Sequence, residues 1–360
     1  MVLGQTLLAL AATLFAAWLL RALAVRLRQP RIGGEMVGGL LVGTALLSPW
    51  REEGSASEQR AVLSPEAVDA FNTAGQVGVI LYLFLVGLSL DPAGVRRKAR
   101  TALLVSLPVI LAAVALAPLG AYWFDSGRWE LSTGLLAASL IMAAALMING
   151  FPVVAHMLQE RGELRGDLAS TVLGAAALLT VVPFLLLLVA ERVAFGSGGV
   201  EAPGLLPAGI LGGFVAGVML AGSPKARLVF QRLLGWIVPA VLVPVFLASA
   251  GERVDPRLLD GEVILGAVVF TALLLAVALP SGLVAKRVAR FSAPEAKTIA
   301  ALLNCRGLLL LVLAVAMADE DLIGPSLVAV LFLGALATTL MTGPLLGWAQ
   351  RSTGERTITV

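Results

Sequence analysis

Apolar residues occur along the chain in long blocks that are separated by short polar stretches. Windows of about 19 residues give eleven apolar segments, at 2–20, 33–50, 72–90, 101–124, 131–158, 168–190, 204–222, 233–251, 263–283, 298–318 and 325–347. About 20 apolar residues are enough for a helix to cross the hydrocarbon core of a bilayer. The pattern therefore predicts an all-α integral membrane protein with about 11 transmembrane helices.

Lysine and arginine residues alternate between the loops of this pattern. Loops after odd-numbered segments, together with the C-terminal stretch, hold 18 of the 26 basic residues, whereas loops after even-numbered segments hold 6. Cytoplasmic loops of membrane proteins are enriched in Lys and Arg. The alternation predicts a multi-pass protein of the cell inner (plasma) membrane, with its N-terminus outside and its C-terminus in the cytoplasm.

A weak internal repeat relates segments two to six to segments seven to eleven. Residues 38–43 (GGLLVG) resemble residues 212–217 (GGFVAG), and residues 149–152 (NGFP) correspond in position to residues 304–307 (NCRG). Each copy has five segments, an odd number, so the second copy is inverted in the membrane, as in many transporter folds. The predicted organisation is a single transmembrane domain at 1–350, with repeats at about 33–190 and 204–347 and a short cytoplasmic tail at 351–360.

The fifth and tenth segments are interrupted near their middles by the two matching motifs. Asn149-Gly150-Phe151-Pro152 places a glycine, a proline and a side-chain amide at membrane depth. Such a break persists only where it is buried in protein or lines a cavity. Secondary transporters place their cargo at broken helices, so the breaks favour a transporter.

Composition excludes several other classes of protein. The chain of 360 residues is 59% apolar and only 14% charged, whereas a soluble domain has about 25% charged residues. The basic residues lie in short loops, so the net charge of +3 indicates a bilayer partner and no nucleic acid. A single cysteine and a single histidine provide no zinc cluster. We expect no metal centre and no cofactor. The sequence contains no nucleophile–base pair that would indicate an enzyme.

Nine short motifs stand out along the chain, at residues 29–36, 38–43, 83–88, 150–155, 160–162, 173–177, 304–307, 338–339 and 343–345. They resemble motifs of the monovalent cation:proton antiporter superfamily, and most closely those of its potassium-efflux-type and plant cation/proton exchanger branch. The resemblance covers essentially the whole chain.

The resemblance implies a fold in which two crossing broken helices form a core that moves against a scaffold, usually within a homodimer. It also implies exchange of sodium or potassium for protons through an acidic residue or pair on the sixth helix. This chain departs from that pattern, because Leu178, Leu179 and Thr180 stand where the acidic pair is expected. Leucines also follow Arg306-Gly307, where relatives often carry a glutamate.

Four residues near the breaks are the candidates for an ion or solute site. Asn149, Thr180 and Asn304 supply oxygen atoms, which sodium and potassium prefer as ligands. Arg306 lies within an apolar segment, where an arginine costs about 2.5 kcal/mol or more. Two interpretations of Arg306 remain open: it neutralises the carbonyl ends of half-helices, or it binds an anionic group together with half-helix N-termini.

Two further residues are candidates for gating or pH sensing. His156 follows Pro152 by four residues, and histidine changes its charge near neutral pH; the alternative is a histidine that only reaches towards the membrane interface. Glu35 matches the resemblance motif at the start of the second segment; the alternative is an interfacial carboxylate paired with Arg31.

Three functions follow from these observations. The first is a secondary active transporter that exchanges a monovalent cation for protons through a non-standard site. The second is a carrier of an anionic or organic solute on the same scaffold, which the retained Arg306 and the missing acids suggest. The third is a non-transporting membrane partner or sensor.

Overall fold

The structure is a computed structural model that describes residues 2–27, 29–47, 63–124, 129, 134–160, 166–195 and 205–351. Within these residues the secondary structure is helical. The helices are α1 (Val2–Arg26), α2 (Arg31–Val42), α3 (Pro65–Ser89), α4 (Pro92–Arg97), α5 (Ala99–Trp123), α6 (Leu135–Met147), α7 (Phe151–Glu160), α8 (Asp167–Phe195), α9 (Leu205–Leu220), α10 (Pro224–Leu234), α11 (Val243–Glu252), α12 (Gly261–Arg287), α13 (Ala293–Leu303), α14 (Gly307–Asp319) and α15 (Pro325–Arg351).

Each predicted apolar segment coincides with a helix or with a pair of half-helices. Eight helical stretches of the described residues are long and apolar enough to span a membrane, and a ninth arises if α10 and α11, bent by 40°, are one span. Helix α2 continues through a π-helical turn at Gly43–Leu47, and α9 is a shorter apolar helix. The prediction of an all-α multi-pass membrane protein is confirmed, and its count of about eleven is consistent with these helices. Beyond Arg351, the predicted cytoplasmic tail lies outside the described residues.

Polar residues mark several helix starts, which explains where the long helices begin. Asp260 accepts hydrogen bonds from the backbone N–H groups of Glu262 and Val263 at the start of α12. Ser292 and Glu295 bond reciprocally to each other's backbone at the start of α13. These side chains satisfy N–H groups that have no partner within the helix.

The helices form two bundles. Helices α5–α8 and α12–α15 pack on one another and are called the core bundle below, with the short helix α4 attached; helices α1–α3 and α9–α11 form the scaffold bundle. The bundles meet where α14 contacts α2, α9 and α11, where α15 contacts α2, and where α8 contacts α9. This division gives the core and the scaffold that the sequence resemblance implied.

Packing within the scaffold bundle reflects the repeat. Helix α3 of the first half packs on α9 of the second, and α11 of the second half packs on α2 of the first. Glycines allow both approaches: a Cβ on Gly217 would stand 2.1 Å from the carbonyl oxygen of Phe84, and one on Gly43 would stand 2.3 Å from that of Ala248. Glycines of the repeat motifs therefore allow the backbones of the two halves to approach closely.

Candidate functional site at the crossing of two broken helices

Two interrupted spans form the interior of the core bundle. The first is α6 followed by α7, with a break at residues 148–150, and the second is α13 followed by α14, with a break at residues 304–306. In the most apolar windows of these spans, 89% and 94% of the residues are buried, against 22% for α1 at the edge of the molecule. The predicted breaks are present, and protein surrounds both.

The backbones of the two breaks touch each other. The N–H of Gly150 donates to the carbonyl oxygen of Cys305 at 2.7 Å. A Cβ on Gly150 would lie 2.8 Å from the carbonyl oxygen of Arg306, so this position needs glycine. Gly307 has a φ of +49° at the start of α14, a left-handed conformation that glycine adopts without strain. The two spans therefore cross at their breaks.

Asn149 binds the end of the other broken span. Its side-chain Nδ2 lies 3.0 Å from the carbonyl oxygen of Leu303, 3.1 Å from that of Cys305 and 3.3 Å from that of Leu302. Its backbone N–H donates to the carbonyl oxygen of Leu179 on α8. The amide thus caps the carbonyl end of α13, where the last C=O groups of a helix lack intrahelical partners.

Arg306 makes the reciprocal contact. Its Nη1 donates to the carbonyl oxygens of Ile148 at 2.6 Å and Met147 at 3.1 Å, at the end of α6. The side chain is completely buried. A cation at the C-terminal end of a helix is stabilised by the helix dipole. This geometry is the one expected if Arg306 neutralises the carbonyl ends of half-helices.

Several polar atoms at the crossing have no hydrogen-bond partner among the described residues. They are Oδ1 of Asn149, both side-chain polar atoms of Asn304, and Nε of Arg306. Asn149 is fully buried, and Asn304 is 1% exposed. Buried polar groups of native proteins are normally paired, so these oxygens and nitrogens are available to a ligand.

Buried hydroxyl groups line the neighbouring helices. Thr180 on α8 donates to the carbonyl oxygen of Ala176 at 2.9 Å, which leaves its own oxygen free to accept. Helix α15 carries three further buried threonines. Each of these three, Thr338, Thr339 and Thr342, donates to a carbonyl oxygen four residues earlier. Sequence reasoning did not place these three at the site, although two belong to a motif that carried the resemblance.

The two gating candidates lie on α2 and α7. Glu35 on α2 is buried, with 7% of its surface exposed, and its Oε1 is 3.3 Å from Nη1 of Arg21 on α1. The sequence suggested Arg31 as the partner and missed Arg21. His156 lies in α7, and its side chain is outside the described part of the structure.

Comparison with known proteins identifies the family. The family model described as "Sodium/hydrogen exchanger, transmembrane" matches residues 10–208 and 205–350. Cation/H(+) antiporter 17 of Arabidopsis thaliana is 30% identical over 190 residues, which are 52% of this chain and 23% of that protein. Cation/H(+) antiporter 19 of the same plant is 23% identical over 362 residues, covering 83% of this chain and 44% of that protein. The chain thus spans less than half the length of these two relatives.

A bacterial relative and a solved structure are similar over more of their length. The Na(+)/H(+) antiporter NhaS4 of Synechocystis sp. is 25% identical over 333 residues, covering 75% of this chain and 80% of that protein. The sodium proton antiporter MjNhaP1 of Methanocaldococcus jannaschii superposes with a TM-score of 0.60 at 14% identity, covering 98% of each chain. The second likeness shows that the two chains share a fold. With its two crossing broken spans and a family model that matches nearly its whole length, this chain belongs to the transmembrane sodium/hydrogen exchanger family.

Proposed function

We propose that this protein is a secondary active transporter that exchanges a monovalent cation, sodium or potassium, for protons across the membrane. The observation that carries the proposal is the crossing, where Asn149 and Arg306 each bind the carbonyl end of the other broken span. Broken spans of this kind hold substrates in secondary transporters. Family membership and the names of the relatives support the same activity.

The cation would be held by neutral oxygen atoms. Sodium and potassium are hard ions that prefer oxygen ligands. The Oδ1 atoms of Asn149 and Asn304, which have no hydrogen-bond partner among the described residues, are the candidate ligands. Thr180 adds a hydroxyl oxygen on α8. The positive charge of Arg306 is offset by the carbonyl end of α6. Because Leu178, Leu179 and Thr180 stand where an acidic pair is expected, we expect a weaker affinity for cations than an acidic site would give.

The proton would bind elsewhere, and Glu35 is the best candidate in the described structure. It is a buried carboxylate on α2, the scaffold helix that contacts both α14 and α15 of the core. Arg21, with which it forms an ion pair, is 45% exposed at the side chain, and Arg31 contributes a second positive charge. His156 on α7 is the second candidate, because its charge changes near neutral pH.

Ion flux into proteoliposomes that contain a pH-sensitive dye tests the proposal. Addition of sodium or potassium should drive proton movement with the unaltered protein. Asn304→Ala should raise the apparent KM for the cation by roughly tenfold or more, a loss of about 1.4 kcal/mol, because the amide makes no described bond whose loss would unfold the protein. Glu35→Gln should abolish the coupling to protons, whereas Glu66→Gln, an exposed acid, is the control.

Two outcomes would overturn these assignments. Folded protein that moves no protons in response to either cation would exclude the exchange activity. Asn304→Ala and Glu35→Gln variants with unchanged KM and coupling would exclude these residues as ligand and proton carrier while leaving the activity in place.

Transport of an anionic solute is the second candidate function, and one observation favours it. The Nε of Arg306 is buried and has no partner among the described residues, so it could donate to a carboxylate. Uptake of radiolabelled organic acids, with Arg306→Lys as the variant, distinguishes this function, and uptake that is unaffected by the substitution would count against it.

The proposed cation/proton exchanger is further a homodimer in the cell inner membrane, with its N-terminus outside.

A further inference from the structure

Apolar surfaces meet where α14 and α7 of the core bundle contact the scaffold bundle. Helix α14, which is buried from Gly307 to Met317, faces three scaffold helices. The rings of Phe151 on α7 and Phe214 on α9 pack edge to face with centroids 6.3 Å apart. Apolar contacts have no directional preference. Such an interface holds the bundles together without fixing one position of the core along the scaffold.

A polar bridge joins the bundles at one end of this interface. Asp319 is the last residue of α14 in the core. Its Oδ1 accepts a hydrogen bond from Nη2 of Arg253 at 2.5 Å, and its Oδ2 accepts one from Nε2 of Gln76 at 3.1 Å. Arg253 follows α11 and Gln76 lies on α3, and both helices belong to the scaffold. Asp319 therefore binds two scaffold helices at once.

The scaffold side of the bridge is itself fixed in position. Nη1 of Arg253 donates to the carbonyl oxygen of Ser249 at 3.1 Å, which holds the guanidinium against the end of α11. The neighbouring Glu252 accepts from the side chain of Asn72 on α3 at 2.8 Å. The side chains of Arg253 and Asp319 are 21% and 25% exposed, so bulk water only partly screens the pair.

Electrostatics disfavours Asp319 in the absence of this bridge. A carboxylate at the C-terminal end of a helix meets the negative end of the helix dipole. Two more acids follow directly, and burial raises the pKa of the Glu320 carboxyl, with the charges of Asp319 and Asp321 adding to the rise. Arg253 offsets this concentration of negative charge, so the position of the α14 end depends on scaffold contacts.

We propose that Asp319, Arg253 and Gln76 form a latch that holds the core bundle against the scaffold bundle at this end, which is the outer end in the predicted orientation. The inference rests on the proposed function and on the movement of the core against the scaffold that the sequence resemblance implies. Movement of the core bundle along the scaffold bundle must break both hydrogen bonds of Asp319. These three residues therefore position the core and set the fraction of protein molecules that are closed towards the outside.

Thiol accessibility tests the latch without reference to the transported ion. The sequence has a single cysteine, Cys305, so Cys305→Ala provides a background for one reporter. Ala316→Cys places the reporter on α14, one turn before Asp319, at a fully buried position. Asp319→Asn or Arg253→Gln should increase the rate of labelling by a membrane-impermeant maleimide about tenfold in right-side-out vesicles. The exchange Arg253→Asp with Asp319→Arg should restore slow labelling.

A second ion pair provides the matched control. Lys98 and Asp167 lie 2.6 Å apart, and both belong to the core bundle with its attached helix α4. Lys98→Gln removes an ion pair of similar length without separating the bundles, so labelling of the reporter should not change. Unchanged labelling in the Asp319→Asn and Arg253→Gln variants would overturn the latch, and so would equal acceleration by Lys98→Gln.

Cross-linking separates failure of the latch from failure of the proposed function. A short bifunctional thiol reagent should stop ion flux in Arg253→Cys/Asp319→Cys protein and leave flux intact in Lys98→Cys/Asp167→Cys protein. Flux that survives complete cross-linking of residues 253 and 319 would overturn the latch. If the unaltered protein shows no ion flux but the labelling behaves as expected, the proposed function fails and the latch stands.

Discussion

Arg306 shows how backbone carbonyl groups can stabilise a buried charge at membrane depth where the described residues supply no acidic partner. Its Nη1 atom contacts two carbonyl oxygens at the end of α6, and those groups carry the negative end of that helix's dipole. An arginine at the centre of a span is costly unless it is paired or faces the interior of the bundle. Here carbonyl groups of an interrupted helix take the place of a carboxylate.

Replacement of Arg306 should therefore destabilise the protein. Arg306→Met keeps an unbranched side chain but leaves buried carbonyl groups without donors, at a cost of about 1–3 kcal/mol for each unsatisfied group. We expect a clear fall in the melting temperature in detergent, and a smaller fall for Arg306→Lys. Arg232→Met, at an exposed position on α10, is the control. An unchanged melting temperature for Arg306→Met would show that the carbonyl ends find other donors.

At the scale of residues, the sequence supplied the candidates but not their partners. Asn149 and Arg306 could be singled out because each is polar within an apolar segment. Their hydrogen-bond partners could not be predicted, because Arg306 and Ile148 are 158 residues apart in the chain. No local pattern specifies which carbonyl groups each side chain contacts. The partner of Glu35 was missed for a related reason: Arg21 is on α1, and only helix packing brings it to α2.

At the scale of elements, glycine determines how closely the repeat helices approach. Gly217 on α9 faces the backbone of α3, and a Cβ there would lie 2.1 Å from the carbonyl oxygen of Phe84. Atoms of two backbones cannot move aside as a side chain can. Small residues allow such close packing of helices in membranes.

Two substitutions on the same helix should have opposite effects. Gly217→Ala should force α9 away from α3 and lower the melting temperature. Gly212→Ala on the same helix meets nothing within 4 Å, so the higher helix propensity of alanine, about 1 kcal/mol, should leave stability unchanged or raise it. Melting followed by size-exclusion fluorescence measures both variants. A stable Gly217→Ala protein would contradict the close approach.

The helices themselves could largely be predicted, because a span of about 20 apolar residues has few alternatives in a bilayer. Their exact shape could not. The bend of 40° between α10 and α11 coincides with a π-helical turn at Val238–Leu242 that contains Pro239, and α2 ends in another π-helical turn; the apolar pattern specifies neither. The basic helix α10 was assigned to a loop because its lysine and arginines interrupt the apolar pattern.

At the scale of the molecule, the two bundles agree with the core and scaffold that the sequence resemblance implied. Within the scaffold bundle the repeat relates two helix contacts, because α3 packs on α9 just as α11 packs on α2. The orientation in the membrane remains a prediction from the distribution of lysine and arginine.

Cysteine labelling tests that orientation directly. Tyr122→Cys, at the exposed end of α5, should react with a membrane-impermeant maleimide in intact cells. Arg96→Cys and Lys225→Cys, both at exposed positions, should react only after the membrane is permeabilised. The buried Cys305 should give little background. The reverse pattern would place the N-terminus in the cytoplasm.

The reciprocal bonds between the two breaks also impose an order on synthesis. Asn149 is made 153 residues before Leu302, and at 5–20 residues per second a ribosome needs roughly 8–30 s to cover that distance. During this interval the amide of Asn149 and the end of α6 have no counterpart in the growing chain, and lipid offers none. Until the second repeat enters the bilayer, the polar groups of the first repeat must therefore be hydrated or shielded from lipid by the insertion machinery.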